Sequence, residues 1–487
     1  MDSIIFYIRD EGVCRRWVIM ARVFIRRKEL ELEIDFEGDE SKIILLLDKI
    51  PFVRYDELSD TYRALPCAYP DLISALSRLG AEVISEVSAD WSIDVGLRKS
   101  SVELRPYQRK AIEWLKKNRF RGVIVLPTGA GKSLVAIYAI YLLKKKTLIV
   151  VPTIELMHQW KNKIRSVLRI GENDICFWGG GYRALCDITI TTYQSACKRD
   201  FLLKAMDKFG LVVFDEVHHL PAETYLEIAK RLVSPHRIGL TATPERIDRR
   251  DRLLPLFIGP IYYGARIREL VKNGYLAEYE YRRILTHMSR EEWRIYRENM
   301  NIYRKYVQEK FPNLTGRKAF EMVVKAAWKD RRAKEALEAR MKAKAIAMAP
   351  KSKIDKLNEI LSKHRADRVI IFTRLQRTAY LISYIFGIPV ITSNVPKNIR
   401  KRIFSLFRSG RLTKIVSAEA LDEGIDVPDA TVGIIVSGTS SQRQYVQRVG
   451  RVLRPKEKKA VIYELVTARS FDEFMSKARR GLLGENH

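Results

Sequence analysis

The stretch Val123–Ser133, VIVLPTGAGKS, limits this chain more than any other feature of its sequence. A run of apolar residues gives way to glycines and closes on Lys132 and Ser133, and LVAIYAIYLL then continues as an apolar helix. The order strand, glycine loop, helix lets backbone N–H groups approach phosphate oxygens, with the positive end of the helix behind them. On that reading Thr128, Gly129, Ala130 and Gly131 cradle the phosphates of ATP, Lys132 neutralises the β and γ phosphates and Ser133 holds Mg2+. The strict pattern G-x-x-x-x-G-K-[ST] begins with glycine, and this chain has Leu126 there. The competing reading is a glycine-rich turn with an incidental lysine.

Around that loop, short apolar runs alternate with helical patterns. RGVIVLP, KTLIVVP, DITITTY, LVVFDE and RIGLTAT lie between Leu104 and about His287. DRVIIFT, IPVITS, TKIVSAEA, TVGIIVS and AVIYELV follow between Lys351 and about Val466. Strands this apolar are buried on both faces, which predicts parallel sheets sandwiched by helices and ligands held by the loops at the strand ends. The expected fold class is α/β, two tandem parallel-sheet domains at 96–287 and 350–470.

Three further segments are expected. Residues 1–95 form a small α+β unit, with strands in RRWVIMARVFI and ELELEIDFEG and a helix in YPDLISALSRLGAEVI, joined to the next domain through SADWSIDVGLRKSS. Residues 288–349 carry no strand signal. Trp293, Tyr296, Met300, Tyr303 and Val307 fall three or four apart on one helix face, and FPNLTG interrupts the pattern, predicting a helical hairpin whose aromatic stripe is core. From Arg290 to Ala349 there are 16 Lys and Arg against 8 acids, so 16 − 8 gives +8, a surface suited to nucleic acid. A short basic helix is expected in the tail 471–487.

The whole chain of 487 residues exceeds one ordinary core and suggests about three units at roughly 150 residues each. Its 88 Lys and Arg against 58 acids give +30, a field that favours a polyanion: nucleic acid first, an anionic membrane surface second. Solubility or heat adaptation is the alternative source of such a balance. The five cysteines, Cys14, Cys67, Cys176, Cys186 and Cys197, form no C-x-x-C pair. No disulfide framework, zinc site or iron–sulfur cluster is expected, consistent with a reducing interior. No apolar run reaches the roughly 18 residues of a membrane span, and charges interrupt the amino terminus too early for a signal peptide, so an intracellular protein is expected.

Two carboxylates end the strand LVVFDEVHH. Nucleotide hydrolysis needs one carboxylate to orient hydrated Mg2+ and another to align and deprotonate the attacking water, roles that fall to Asp215 and Glu216. The histidine pair beside them would suit zinc, but the phosphate loop upstream argues against it. In QRQYVQRVGRVLRP, Gln447, Arg448, Arg451 and Arg454 recur at a spacing that gathers them at one helix end, or that makes a basic solvated helix.

The phosphate loop, Asp-Glu-Val-His at Asp215–His218 and TAT at Thr241–Thr243 resemble motifs I, II and III of superfamily 2 helicases. LRPYQ resembles the adenine-reading motif, implying base contacts by Arg105 and Gln108. VPTIELMHQW and TTYQS resemble motifs Ia and Ic, implying strand-backbone contacts at Thr153, Thr192 and Gln194. VIIFTRL resembles motif IV, with Thr373, and SAEALDEGIDVPDA motif V, with Gly424 and Asp426 near the nucleotide. QRVGRVLR resembles motif VI, which implies that Arg451 and Arg454 are arginine fingers. The resemblance implies two RecA-like motor domains with ATP between them.

DEVHHLPAETY and GLTATPERID are similar to the XPB family of DNA repair helicases, in an archaeal form. The family's Arg-Glu-Asp strand-separation signature corresponds to Arg246, Ile247 and Asp248, its central acid replaced by Ile247. The resemblance further implies a thumb in the helical insertion, a damage-recognition role for the first unit, 3′ to 5′ movement on DNA in nucleotide excision repair, a partner nuclease and a nucleoid-associated cytoplasmic location. XPD-type helicases need four cluster cysteines, and no suitable set exists here. Three rival readings remain at this point: an RNA-dependent ATPase, a duplex DNA translocase without unwinding, and a binding scaffold with a dead nucleotide site. The intact Lys132, Asp215, Glu216, Arg451 and Arg454 argue against the scaffold.

Overall fold

The computed structural model describes residues 21–38, 40–88, 90–93, 103–246, 248–265, 267–275, 278–418, 430–437 and 459–480. The chain divides near residue 265 into two compact units.

The first unit contains two sheets. Strands β1 (Ala21–Lys28), β2 (Glu31–Gly38), β3 (Val53–Asp56), β4 (Thr61–Ala64) and β5 (Glu82–Ser85) lie in the order β3-β4-β2-β1-β5. β1 and β2 pair antiparallel, and alternation along them buries Val23, Ile25, Leu32 and Ile34 completely. The helix Tyr69–Leu79 covers that face with Leu72 and Leu76 and ends at Gly80, whose φ of 77° is the left-handed stop a glycine provides. Met206 and Val233, from the larger sheet's connections, complete the same core.

The larger sheet runs β13-β6-β12-β11-β7-β10-β8-β9. Its strands are β6 (Arg121–Val125), β7 (Thr147–Val151), β8 (Ile175–Gly179), β9 (Tyr182–Arg183), β10 (Ile188–Thr192), β11 (Leu211–Asp215), β12 (His236–Thr241) and β13 (Ile261–Tyr263). Neighbours are parallel except the β8–β9 hairpin. All five strands expected from apolar runs are present; β8, β9 and β13 are additional. The β8–β9 hairpin also corrects the cysteine reading, because it closes a disulfide between Cys176 and Cys186, ten residues apart.

The second unit holds a wholly parallel sheet, β14-β19-β18-β15-β17-β16. Its strands are β14 (Tyr279–Thr286), β15 (Val369–Thr373), β16 (Val390–Ile391), β17 (Lys414–Ala418), β18 (Val432–Ile435) and β19 (Ala460–Thr467). β14 differs from expectation: residues assigned by sequence to the first α/β domain pair in register with Ala460–Thr467, so the changeover lies before Tyr279 rather than at 287. Between β14 and β15 the insertion is three helices, not a hairpin: Arg290–Lys310, Gly316–Ala326 and Arg331–Met348. A capping box between Ser289 and Glu292 starts the first. Tyr296, Tyr303 and Tyr306 on it are buried over a stripe of buried alanines on the third, Ala333, Ala336, Ala339, Ala343 and Ala347. Small residues every three or four positions let the two helices approach closely, and the expected core role of the aromatics holds.

Candidate active site

β6 lies beside β12 and β13 while the chain returns through β7 on the far side of β11, so the loop after β6 opens at a point where strand order reverses. Leu126, the departure from the strict motif, is fully buried and donates its N–H to Thr241 O at 3.1 Å. Its side chain belongs to the core behind the loop, so glycine is not required there. The cradle needs its glycines further on. Gly129 and Gly131 have φ of 85° and 77°, and a Cβ on Gly131 would meet Gln108 Nε2 at 2.5 Å. The Thr128 hydroxyl is buried without a hydrogen-bond partner among the described residues. Left-handed glycines and an unsatisfied hydroxyl beside a lysine fit a bound nucleotide phosphate.

Lys132 begins the helix Lys132–Leu143 and its Nζ folds back to donate to Leu126 O at 3.2 Å. Ser133 Oγ accepts from Lys163 Nζ. Gln108 is buried; its Oε1 accepts from Arg105 N at 2.9 Å and its Nε2 lies 3.5 Å from Gly131 O, tying the adenine-type motif to the loop.

Two strands away, Asp215 ends β11. Trp160 Nε1 donates to Asp215 Oδ2 at 2.8 Å and the Glu216 N–H to Oδ1 at 3.1 Å. Burial raises the Asp215 pKa, and the Trp160 hydrogen bond and the Lys132 charge oppose that rise. Such a carboxylate, within reach of the charges of Lys132 and of the Lys163 that bonds Ser133, suits a hydrated divalent cation. Glu216 adopts the left-handed region at φ 47°, an unusual conformation for a glutamate. Its Oε2 lies 3.4 Å from Nδ1 of the buried His218. His218 Nδ1 is also 3.1 Å from Thr241 Oγ1, which accepts from Thr243 N at 3.2 Å. Motifs II and III are thereby joined through one threonine hydroxyl.

The residues expected to meet the strand fall into different settings. Thr153 and Thr192 cap the helices that follow them, accepting from Leu156 N at 3.3 Å and Ser195 N at 3.2 Å, and Gln194 is exposed. Thr373 is fully buried, its hydroxyl donating to Leu375 O at 3.2 Å, which removes that hydroxyl from any surface contact with DNA. Arg246 donates to both carboxylate oxygens of Asp248, at 2.9 and 2.7 Å, and to His218 O at 2.6 Å. That guanidinium holds the Asp248 carboxyl far below the usual carboxylate range. Gly424, Asp426, Gln447, Arg448, Arg451, Arg454 and Ile247 lie outside the described residues.

Sequence reasoning missed Trp160 and Lys163. They stand three apart on the helix Ile154–Leu168, and that spacing, which puts both on one face, was the available signal.

Two family models match the chain: type III restriction enzyme, res subunit, over residues 101–246, and helicase conserved C-terminal domain over residues 352–456. The Pyrococcus furiosus Hef helicase domain, at 20% identity and a TM-score of 0.53, covers 79% of this chain with 99% of its own and shares the fold. A Mycobacterium tuberculosis protein named DNA 3'-5' helicase XPB is 30% identical over 80% of this chain and 65% of its own length. A Sulfurisphaera tokodaii protein named DNA 3'-5' translocase XPB2 is 40% identical over 88% of this chain and 96% of its own length. With a phosphate loop, paired strand-end carboxylates and identity across nearly the whole of that relative, the chain belongs to the XPB family of superfamily 2 helicases.

Proposed function

We propose that the chain is an ATP-dependent motor that moves 3′ to 5′ on DNA and opens it, in nucleotide excision repair. The observation that carries this reading is the convergence of Lys132, Ser133 and Asp215: the Asp215 carboxyl feels the Lys132 charge, and one helix supplies Trp160 to Asp215 and Lys163 to Ser133. When bound, ATP and Mg2+ supply the leaving group and the charge that activates it. Lys132, now on Leu126 O, would neutralise phosphate oxygens, and Ser133 and Asp215 would hold the hydrated cation. Glu216, across a 3.4 Å contact from His218, orients water and takes its proton. Arg451 and Arg454 are assigned to stabilise transition-state charge, Gly424 and Asp426 to the nucleotide, and Arg105 and Gln108 to the base.

The excess of +30, and a groove of about 320 Å³ lined by Arg290, Trp293, Arg294, Arg297, Glu298 and Asn301 in which Arg290 and Arg297 add to an Arg294–Glu298 pair, support backbone binding that carries no sequence information. Thr153, Thr192 and Gln194 contribute contacts through their helix starts, and the Arg246–Asp248 pair stands at the point of strand separation. The first 95 residues are assigned damage recognition and residues 288–349 the thumb. A nuclease that cuts the opened strand is the natural partner, and nucleoid association follows from DNA binding.

The test is ATP hydrolysis by wild type beside Lys132→Ala and Glu216→Gln, without polymer and with single-stranded DNA, duplex DNA or RNA. DNA-stimulated turnover, abolished in both variants while DNA affinity stays within a few-fold, is expected. Turnover unchanged in Glu216→Gln would refute the assigned base, and stronger stimulation by RNA would replace DNA as the substrate. A second reading, translocation on duplex without unwinding, draws support from Ile247 in place of the family's acid and from the name of the S. tokodaii relative. Displacement of a triplex-forming strand without separation of a forked duplex would favour it.

A further inference from the structure

Trp328 occupies the turn between the helices Gly316–Ala326 and Arg331–Met348 with 88% of its surface exposed. The other described tryptophans are buried or half-buried. Trp91 bonds Asp207 O, Trp114 stacks on Tyr262, Trp293 stacks on Tyr296 and Trp160 bonds Asp215. Trp328 takes part in no comparable contact among the described residues, although a large aromatic in water forgoes much burial.

The turn that carries it is firmly built. Tyr306 OH donates to Asp330 Oδ2 at 2.7 Å, and Asp330 Oδ1 caps the third helix by accepting from Arg332 N at 2.8 Å. Lys329 N and Asp330 N both donate to Ala326 O at 2.9 Å, and Val323, one turn earlier, is fully buried with Tyr303 and Tyr306. The backbone beneath the indole is therefore fixed, and only the side chain's own two torsions need ordering when something binds.

The surroundings are cationic. Lys325 and Lys329 are exposed within three residues of Trp328, as is Arg331, which pairs with Glu335 at 3.1 Å. Lys325 and Lys329 form no ion pair among the described residues, and Lys310 is near enough to act on Asp330. A protein partner would call for a contiguous apolar patch of several hundred square ångströms; here one aromatic stands alone among lysines. An aromatic face flanked by positive charges matches a nucleobase flanked by phosphates.

We propose that Trp328 is a stacking platform for an unpaired base, gripped from either side by Lys325 and Lys329. The proposal rests on the nucleic-acid motor reading above and adds to it a residue that reads whether the strand is open, since bases in an intact duplex offer no free face.

The experiment uses the full chain as wild type, Trp328→Ala and Trp328→Phe, and measures binding to a base-bearing single strand, an abasic strand of the same length and a blunt duplex, with ATP turnover measured alongside. Loss of one stacked base predicts that Trp328→Ala binds the base-bearing strand about tenfold more weakly. Trp328→Phe should recover most of that loss. The abasic strand, the blunt duplex, basal turnover and the thermal midpoint should all be unmoved. An equal loss on the abasic strand would reassign the residue to charge or folding, and unchanged binding everywhere would overturn the proposal. So would binding to anionic vesicles that Trp328→Ala abolishes while strand binding is kept. Wild type whose turnover no polymer stimulates would sink the motor reading itself; stimulated wild type with an indistinguishable Trp328→Ala would sink only the stacking platform.

Discussion

Trp160 donates its indole N–H to Asp215 Oδ2 at 2.8 Å, fixing a carboxylate at the end of β11 from the helix that follows β7. Lys163, one turn further along, reaches Ser133. A helix whose cap residue, Thr153, suggested only strand contacts thus ties the end of β11 to the serine that follows the glycine loop.

Trp160→Phe keeps the ring in a nearly closed site and removes the donor. Hydrogen bonds to charged groups contribute about 1.5–3 kcal/mol, so DNA-stimulated kcat/KM should fall roughly tenfold or more, with a higher Mg2+ requirement. Steady-state kinetics over a Mg2+ titration checks this. An unchanged Mg2+ dependence would mean that Asp215 is oriented by its backbone contacts alone.

Thr241→Val preserves shape and deletes the hydroxyl that meets both His218 Nδ1 and Thr243 N. Losing that hydroxyl's hydrogen bonds inside a buried cluster should cost about 1–3 kcal/mol in denaturant unfolding. DNA stimulation of turnover should fall several-fold more than basal turnover, because the hydroxyl joins the hydrolytic strand end to the TAT loop. Equal losses in both rates would reduce the contact to packing.

Cys176→Ser removes a bond that closes a short loop between β8 and the start of β10. Loop-closure entropy for about ten residues suggests a loss of about 3 kcal/mol. Denaturant melts of wild type with and without reductant, beside the variant, test it: reductant should destabilise wild type and leave Cys176→Ser where it was.

His236 is half-buried, its ring meeting Arg119 O at 2.8 Å, and burial lowers its pKa below the ordinary histidine value. The neutral ring is the form the fold prefers. Its contribution is therefore present above the unfolded pKa of about 6.5 and lost as pH falls through the lower folded pKa. His236→Gln should flatten the fall in thermal midpoint between about pH 7.5 and pH 5.5. Parallel curves for the two proteins would rule out this residue as a source of the slope.

Much of the site was legible because its chemistry is local. A glycine loop between a strand and a helix, and two acids closing an apolar run, are each contained within a dozen residues. Trp160 and Lys163 were harder to see because their targets, Asp215 and Ser133, lie far from them in the chain. Thr373 shows the opposite limit: the motif was recognisable, but burial of its hydroxyl is a property of packing.

Periodicity and composition by themselves determined the alternating α/β order, the ten apolar strands recognised in the two larger sheets, and the cationic balance, since each depends only on neighbours along the chain. Pairings between distant segments were decided by the tertiary structure. Tyr279–Thr286, placed by sequence within the first α/β domain, finds its backbone partners in Ala460–Thr467 of the second. Cys176 and Cys186 become bonding neighbours only once β8 and β9 turn back on each other. Hydrogen bonds and disulfides require proximity in space, and a linear pattern records proximity only along the chain.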